Sequence, residues 1–212
     1  MKSLDPLEIK RILIRSTNWI GDAVMTTPAM GVVRRFFPDA EIVVAANPLV
    51  AQLFSHHPDC DRVLVYDRKG AHQGLGGFFR FVAELRRERF DLAILLQNAV
   101  EAAILATLAG IPRRAGYRSD GRGLLLSHGV PVGEAEKRLH HTDYYLRMLA
   151  GVGITGEPGP LHLACTDAEI AEAEARLGRG QWLAVNPGAA YGSAKRWRPQ
   201  RFAEAADRLA EA

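Results

Sequence analysis

Short apolar runs and helix-spaced stretches take turns along most of this chain. The runs fall at residues 12–14, 41–45, 63–66 and 92–96, and the helical patterns at 30–37, 78–88 and 99–109. That alternation predicts βαβ units, hence an α/β fold built on a parallel sheet with flanking helices. The first helix has two readings: it starts at Thr27-Pro28, with proline in its first turn, or it starts near Asp22 and bends at Pro28. Between 112 and 136 the periodicity fades into Gly and Arg, and the spacing predicts loops around one brief strand at 124–126.

Helical spacing resumes over 140–149, the Gly- and Pro-rich stretch 151–160 reads as a connector, and 161–163 as one more short strand. A polar helix begins at Asp167 and ends near 178–180. A domain boundary is expected within 153–181. Beyond it, the apolar run 182–185 predicts a buried strand, 186–197 a loop and 199–211 a helix. These are too few elements for an independent core. They either complete the first sheet or belong to a longer protein.

Composition adds bounds. A chain of 212 residues with 48% hydrophobic content suffices for a real core. No apolar run approaches the roughly 20 residues of a membrane span, and Met1-Lys2-Ser3-Leu4-Asp5 lacks a signal-peptide core, so a cytoplasmic location is expected. Cys60 and Cys165 are far apart and in no metal-ligand spacing, which argues against a disulfide framework or a zinc site. A net charge of +3 is too small to argue for nucleic acid, while a pI near 9.0 fits an anionic substrate or membrane surface.

Two loops carry the candidate chemistry. The stretch Asn186-Pro187-Gly188-Ala189-Ala190-Tyr191-Gly192-Ser193-Ala194-Lys195-Arg196-Trp197 combines small residues, which let backbone N–H groups approach a phosphate, with two cations. The other, Arg15-Ser16-Thr17-Asn18-Trp19-Ile20-Gly21-Asp22, follows the first strand. In open α/β sheets ligands bind at the carboxyl ends of strands, so the two loops suggest two halves of one cleft. Asp22 is the only carboxylate of its loop and a candidate general base, although an Asp there also suits a helix N-terminus. Asn18 and Trp19 could line a pocket beside it. Arg113, Arg114, Arg118 and Arg122 form a basic cluster suited to anionic groups, or to structural ion pairs. His140 and His141 precede a helix, where capping competes with a binding role for either of them, His140 being the one taken as a candidate.

The run from Arg15 to Pro28, the stretch Ala109-Gly110-Ile111-Pro112-Arg113-Arg114-Ala115-Gly116-Tyr117, and Asn186-Pro187-Gly188-Ala189 through Gly192-Ser193-Ala194-Lys195-Arg196-Trp197 occur in an order that resembles the ADP-heptose:lipopolysaccharide heptosyltransferases of glycosyltransferase family nine. The resemblance implies the GT-B architecture, two Rossmann-like domains facing a cleft. It divides this chain into an acceptor-side domain (1–160), a connector (161–181) and the beginning of a nucleotide-sugar-binding domain (182–212), the second domain being incomplete. It implies Asp22 as catalytic base and Lys195, Ser193, Gly192 and Arg196 on the ADP-heptose donor. Asn18, Trp19, Arg113, Arg114, Arg118, Arg122 and His140 would serve a lipid A–Kdo–heptose acceptor. No metal or other cofactor is implied, and the lipid acceptor implies peripheral contact with the inner membrane. The chain lacks the family's later Asp-Ser/Thr-Gly segment and the His after it, so the resemblance places activity in the complete two-domain protein.

Other classes fit less well. A dinucleotide-binding Rossmann enzyme requires G-x-G-x-x-G, and the first loop holds only Gly21. A noncatalytic module that holds an anionic glycolipid through its arginines is the main alternative. A nucleic-acid binder would need a recognised motif or aromatic platforms, which the basic cluster lacks.

Overall fold

The computed structural model describes residues 4–178, 180–189, 194 and 196–210. It separates into two compact units that meet at Cys165–Thr166. The first unit is a parallel six-stranded sheet. Its strands are β1 (Arg11–Arg15), β2 (Glu41–Ala46), β3 (Arg62–Val65), β4 (Leu92–Leu95), β5 (Arg113–Tyr117) and β6 (His128–Val130), in spatial order β3-β2-β1-β4-β5-β6. This is the doubly wound order, with the direction of winding reversing between β1 and β4.

Strand alternation decides which core each side chain enters. Ile12, Ile14, Ile42, Val44 and Ile94 pack on one face against α1 (Ile20–Met25), α2 (Thr27–Phe36), α3 (Pro48–Phe54) and α7 (His141–Gly151). Leu13, Val43, Ala93 and Leu95 pack on the other against α4 (Gly74–Glu88) and α5 (Val100–Leu108). Burial on both faces makes the strands read as continuous apolar runs.

Both readings of the first helix are partly realised. A helix starts beside Asp22 and ends at Thr26, whose hydroxyl donates to the Ala23 carbonyl at 2.6 Å; α2 then begins with Pro28 in its first turn, where no N–H is needed. The helix α3 is not apparent from periodicity. Its signal is Asn47-Pro48: the Asn47 side chain accepts from the Val50 N–H at 2.9 Å.

The region 112–136 departs from expectation. It holds two strands, β5 and β6, and residues 124–126 are not one of them. Gly121, at φ +76°, opens a 3-10 turn over Arg122–Leu125, and Leu124 is fully exposed. β5 escapes pattern reading because its sequence, RRAGY, mixes charge and glycine; at Gly116 a Cβ would come within 3.3 Å of the Leu95 carbonyl. A short helix α6 (Glu134–Lys137) follows. Both cysteines are free thiols.

The second unit contains α8 (Asp167–Leu177), with a reciprocal Thr166/Glu169 cap, and α9 (Pro199–Ala210). The strands expected at 161–163 and 182–185 are not formed. Leu161, Trp182 and Leu183 are more than half exposed, and the second unit has no strand among its described residues with which 182–185 could pair.

Candidate functional site

A cavity of about 470 Å³ opens at the carboxyl edge of the sheet, where the loops after β1, β4 and β5 converge with the start of α7. The β1 loop is fixed from beneath. Arg15, 5% exposed, donates to the carbonyls of Ser16 (2.9 Å) and Ala45 (3.1 Å) and reaches Asn18 Oδ1 at 3.4 Å, with its guanidinium over the Tyr66 ring. Burial pulls its pKa down to about 10. Asn47 clamps the same loop by donating to the Asn18 carbonyl at 2.9 Å.

On this platform Asn18, Trp19 and Asp22 all line the cavity, with Trp19 64% exposed at the rim. Asp22 stands in the first turn of α1, where the helix dipole favours a carboxylate. Its Oδ1 lies 3.2 Å from His141 Nδ1, in the first turn of α7. An Nδ1–H donated to Oδ1 fixes the carboxylate's orientation and leaves Oδ2 for another donor. Tyr145 is close by: burial pushes its phenol up, and the charge of Asp22 adds to the effect.

The structure divides the two roles between the histidines, and His140 does not stand where its expected binding role would place it. His140 is the N-cap of α7, accepting from the Thr142 N–H at 3.4 Å, and does not line the cavity; His141 does.

The four arginines separate. Arg113, at the amino end of β5, points away from the cavity's edge and pairs with Glu8 at 2.5 Å. Arg114 donates to the carbonyls of Leu125 (2.6 Å) and Ile111, and burial lowers its pKa. Arg122 is fully buried: it holds the carbonyls of Tyr117 (2.9 Å) and Gln97, and Asn98 Oδ1 at 2.8 Å. None of these three reaches the cavity, because each guanidinium is already committed to protein oxygens. Arg118 alone is exposed at the carboxyl edge, its side chain running over Gly129, where a Cβ would meet it.

Sequence reasoning missed Asn98, Asp120, Lys137 and Tyr144, which also line the cavity. The available signal was position: Gln97-Asn98 follow an apolar strand at its carboxyl end. Among the described residues, no three His, Cys, Asp or Glu side chains group as a metal site. Of the donor-loop residues, Gly192, Ser193 and Lys195 lie outside the described residues. Arg196 folds back onto the Ala189 carbonyl at 3.1 Å, and Trp197 packs on Phe202.

A doubly wound parallel sheet with a carboxylate-bearing crevice at its switch point defines the class, a Rossmann-like domain that receives a ligand at its carboxyl edge. The chain belongs to glycosyltransferase family 9 (heptosyltransferase), whose sequence profile matches residues 78–212. It is similar to lipopolysaccharide heptosyltransferase 2 of Escherichia coli strain K12, at 27% identity over 209 residues covering 94% of this chain and 60% of that protein. The lipooligosaccharide heptosyltransferase 2 of Haemophilus influenzae is 26% identical over 216 residues, covering 93% and 60%. Among solved structures, a family 9 glycosyl transferase from Veillonella parvula matches with a TM-score of 0.82 at 25% identity, over 98% of this chain and 61% of that one. The E. coli ADP-heptose LPS heptosyltransferase II matches at 0.71 and 23% identity, over 95% and 61%. The fold is that of these GT-B heptosyltransferases. The chain spans about 60% of the length of the curated relatives it matches.

Proposed function

We propose that the complete protein transfers heptose from ADP-heptose to a hydroxyl of the lipopolysaccharide inner core, with inversion, and that this chain supplies the acceptor side and the start of the donor side. The observation that carries the reading is Asp22: a carboxylate oriented by His141, at the switch-point edge of a family 9 chain, in a cavity large enough for a sugar. Asp22 Oδ2 takes the acceptor hydroxyl proton as the oxygen forms its bond to the anomeric carbon. The bond to the diphosphate breaks on the opposite side, and the electron pair leaves on ADP. Lys195 and Arg196, with backbone N–H groups of residues 186–197, neutralise that charge without a metal in this reading. The acceptor's lipid places the working protein at the cytoplasmic face of the inner membrane; no described helix is long and apolar enough to cross it.

Asp22→Asn in the complete protein keeps size and hydrogen bonding but removes the base. Turnover with ADP-heptose and a lipid A–Kdo–heptose acceptor is expected to fall by about 10²- to 10⁴-fold, with circular dichroism unchanged. Retained turnover would sink the assignment. Calorimetric titration of the 212-residue chain with ADP and, separately, with a soluble core acceptor tests each half. The reading of a noncatalytic module that grips an anionic glycolipid through its arginines is weakened, since three of the four are held internally.

A further inference from the structure

The cavity contains a hydrogen-bond chain whose direction is set from the core. Arg122 can only donate, so the Asn98 atom 2.8 Å away is the amide oxygen. That fixes the Asn98 amide nitrogen on the other side, where it donates to Tyr144 Oη at 2.7 Å. The phenol oxygen is therefore an acceptor toward Asn98, and its own proton must point elsewhere. Tyr144 Oη has no other polar partner among the described residues, and Tyr144 lines the cavity one helical turn after His141. Burial pushes the phenol above its ordinary pKa, which keeps the proton in place.

Resting on the sugar-transfer reading, we infer that Tyr144 is a dedicated hydrogen-bond donor to a neutral oxygen, hydroxyl or ether, of the acceptor sugar seated beside Asp22, with Arg122 as the positioning residue acting through Asn98. A neutral oxygen fits because Asp22 and Asp120 both line the cavity and oppose a further anion there, while Lys137 beside them is already paired with Glu134 at 2.7 Å. Such a donor discriminates: an acceptor lacking that oxygen leaves a desolvated O–H without a partner.

Two substitutions test the direction as well as the contact. Tyr144→Phe keeps the ring against Tyr117, 4.4 Å between centroids, and the backbone carbonyl that Tyr117 uses. Asn98→Asp keeps an oxygen for Arg122 but turns the other position from donor to acceptor, so the phenol proton is drawn away from the cavity. Titration calorimetry of the 212-residue chain with a delipidated inner-core oligosaccharide should show each variant binding about three- to tenfold more weakly. The double variant should be no weaker than either single one, because both remove the same bond.

A second readout needs no ligand. With tyrosine labelled at 13Cζ, Asn98→Asp should move the Tyr144 resonance while Tyr66 stays in place. Full-strength binding by Tyr144→Phe, additive losses in the double variant, or an unmoved Tyr144 resonance would each overturn the inference. Failure of the unaltered chain to bind the oligosaccharide would remove the proposed ligand together with the transfer reading; the resonance then decides alone whether Arg122 sets the hydroxyl's direction.

Discussion

Arg122 illustrates how a charged side chain can serve a site without touching its ligand. Its guanidinium ties the loop after β5 to the carboxyl end of β4, and burial lowers its pKa. Arg122→Met leaves those carbonyls unpaired in the interior and should cost about 3–5 kcal/mol of stability, measurable by urea denaturation of the chain. The adjacent histidines should separate in the same way by experiment. His140→Ala removes a cap and should cost about 1 kcal/mol, with the complete protein's turnover nearly unchanged at saturating substrate. His141→Ala should instead lower turnover about tenfold with little loss of stability. At this scale the placement of Asp22, Asn18 and Trp19 at one crevice was legible from the sequence, because a polar loop after an apolar strand has a defined place in an open sheet. The arginines were not. Arg113 and Arg114 fall at the amino end of β5, whereas beyond its carboxyl end the 3-10 turn after Gly121 carries Arg122 into the interior and leaves Arg118 in solvent, and β5 was itself hidden.

Elements were readable where period and composition agreed. β1, β2 and β4 are apolar on both faces and appear as plain runs, α4 repeats its apolar residues at helical spacing, and α5 is apolar around most of its circumference. β5 and β6 carry Arg, His and Gly, so only pairing within the sheet, β5 with β4 and β6 with β5, makes them strands. Close packing constrains α4 as strongly as any apolar residue does. A Cβ at Gly77 would lie 2.1 Å from the His72 carbonyl carbon, so Gly77→Ala should destabilise by about 1–3 kcal/mol, visible as a lower melting temperature. At the amino edge, Arg11 and Arg62 bridge Glu41 and Glu88, and the Arg62 hydrogen bond holds the Glu88 carboxyl below its usual range. A depressed carboxylate stabilises the fold above its unfolded pKa, near 4.3, and that contribution is lost as pH falls through the lower folded value. Glu88→Gln should therefore flatten the acid limb of the stability curve, by less than about 1 kcal/mol for partly exposed pairs.

For the whole molecule, the division at Cys165–Thr166 assigns all six strands and both cores to the first unit. Residues 1–165 expressed alone should keep the sheet, with amide NMR shifts matching those of the longer chain away from the cut. Residues 166–212 alone should show weak helicity, since neither α8 nor α9 buries a side chain. The parallel α/β class and the family were legible in the sequence. The strand predicted at 182–185 was not formed, because a strand is defined by its neighbours and apolar composition cannot supply them.

The contact between Asp22 and His141 joins positions 119 residues apart. During synthesis at about 5–20 residues per second, the carboxylate leaves the ribosome roughly 6 to 24 s before the imidazole that orients it. The nascent chain therefore exposes the loop after β1 long before the cavity can be completed, and the pair closes only after all the strands of the described sheet have been made. Ribosome-stalled chains ending before and after α7 would show that this cavity is timed by translation to form only after the sheet on which it depends.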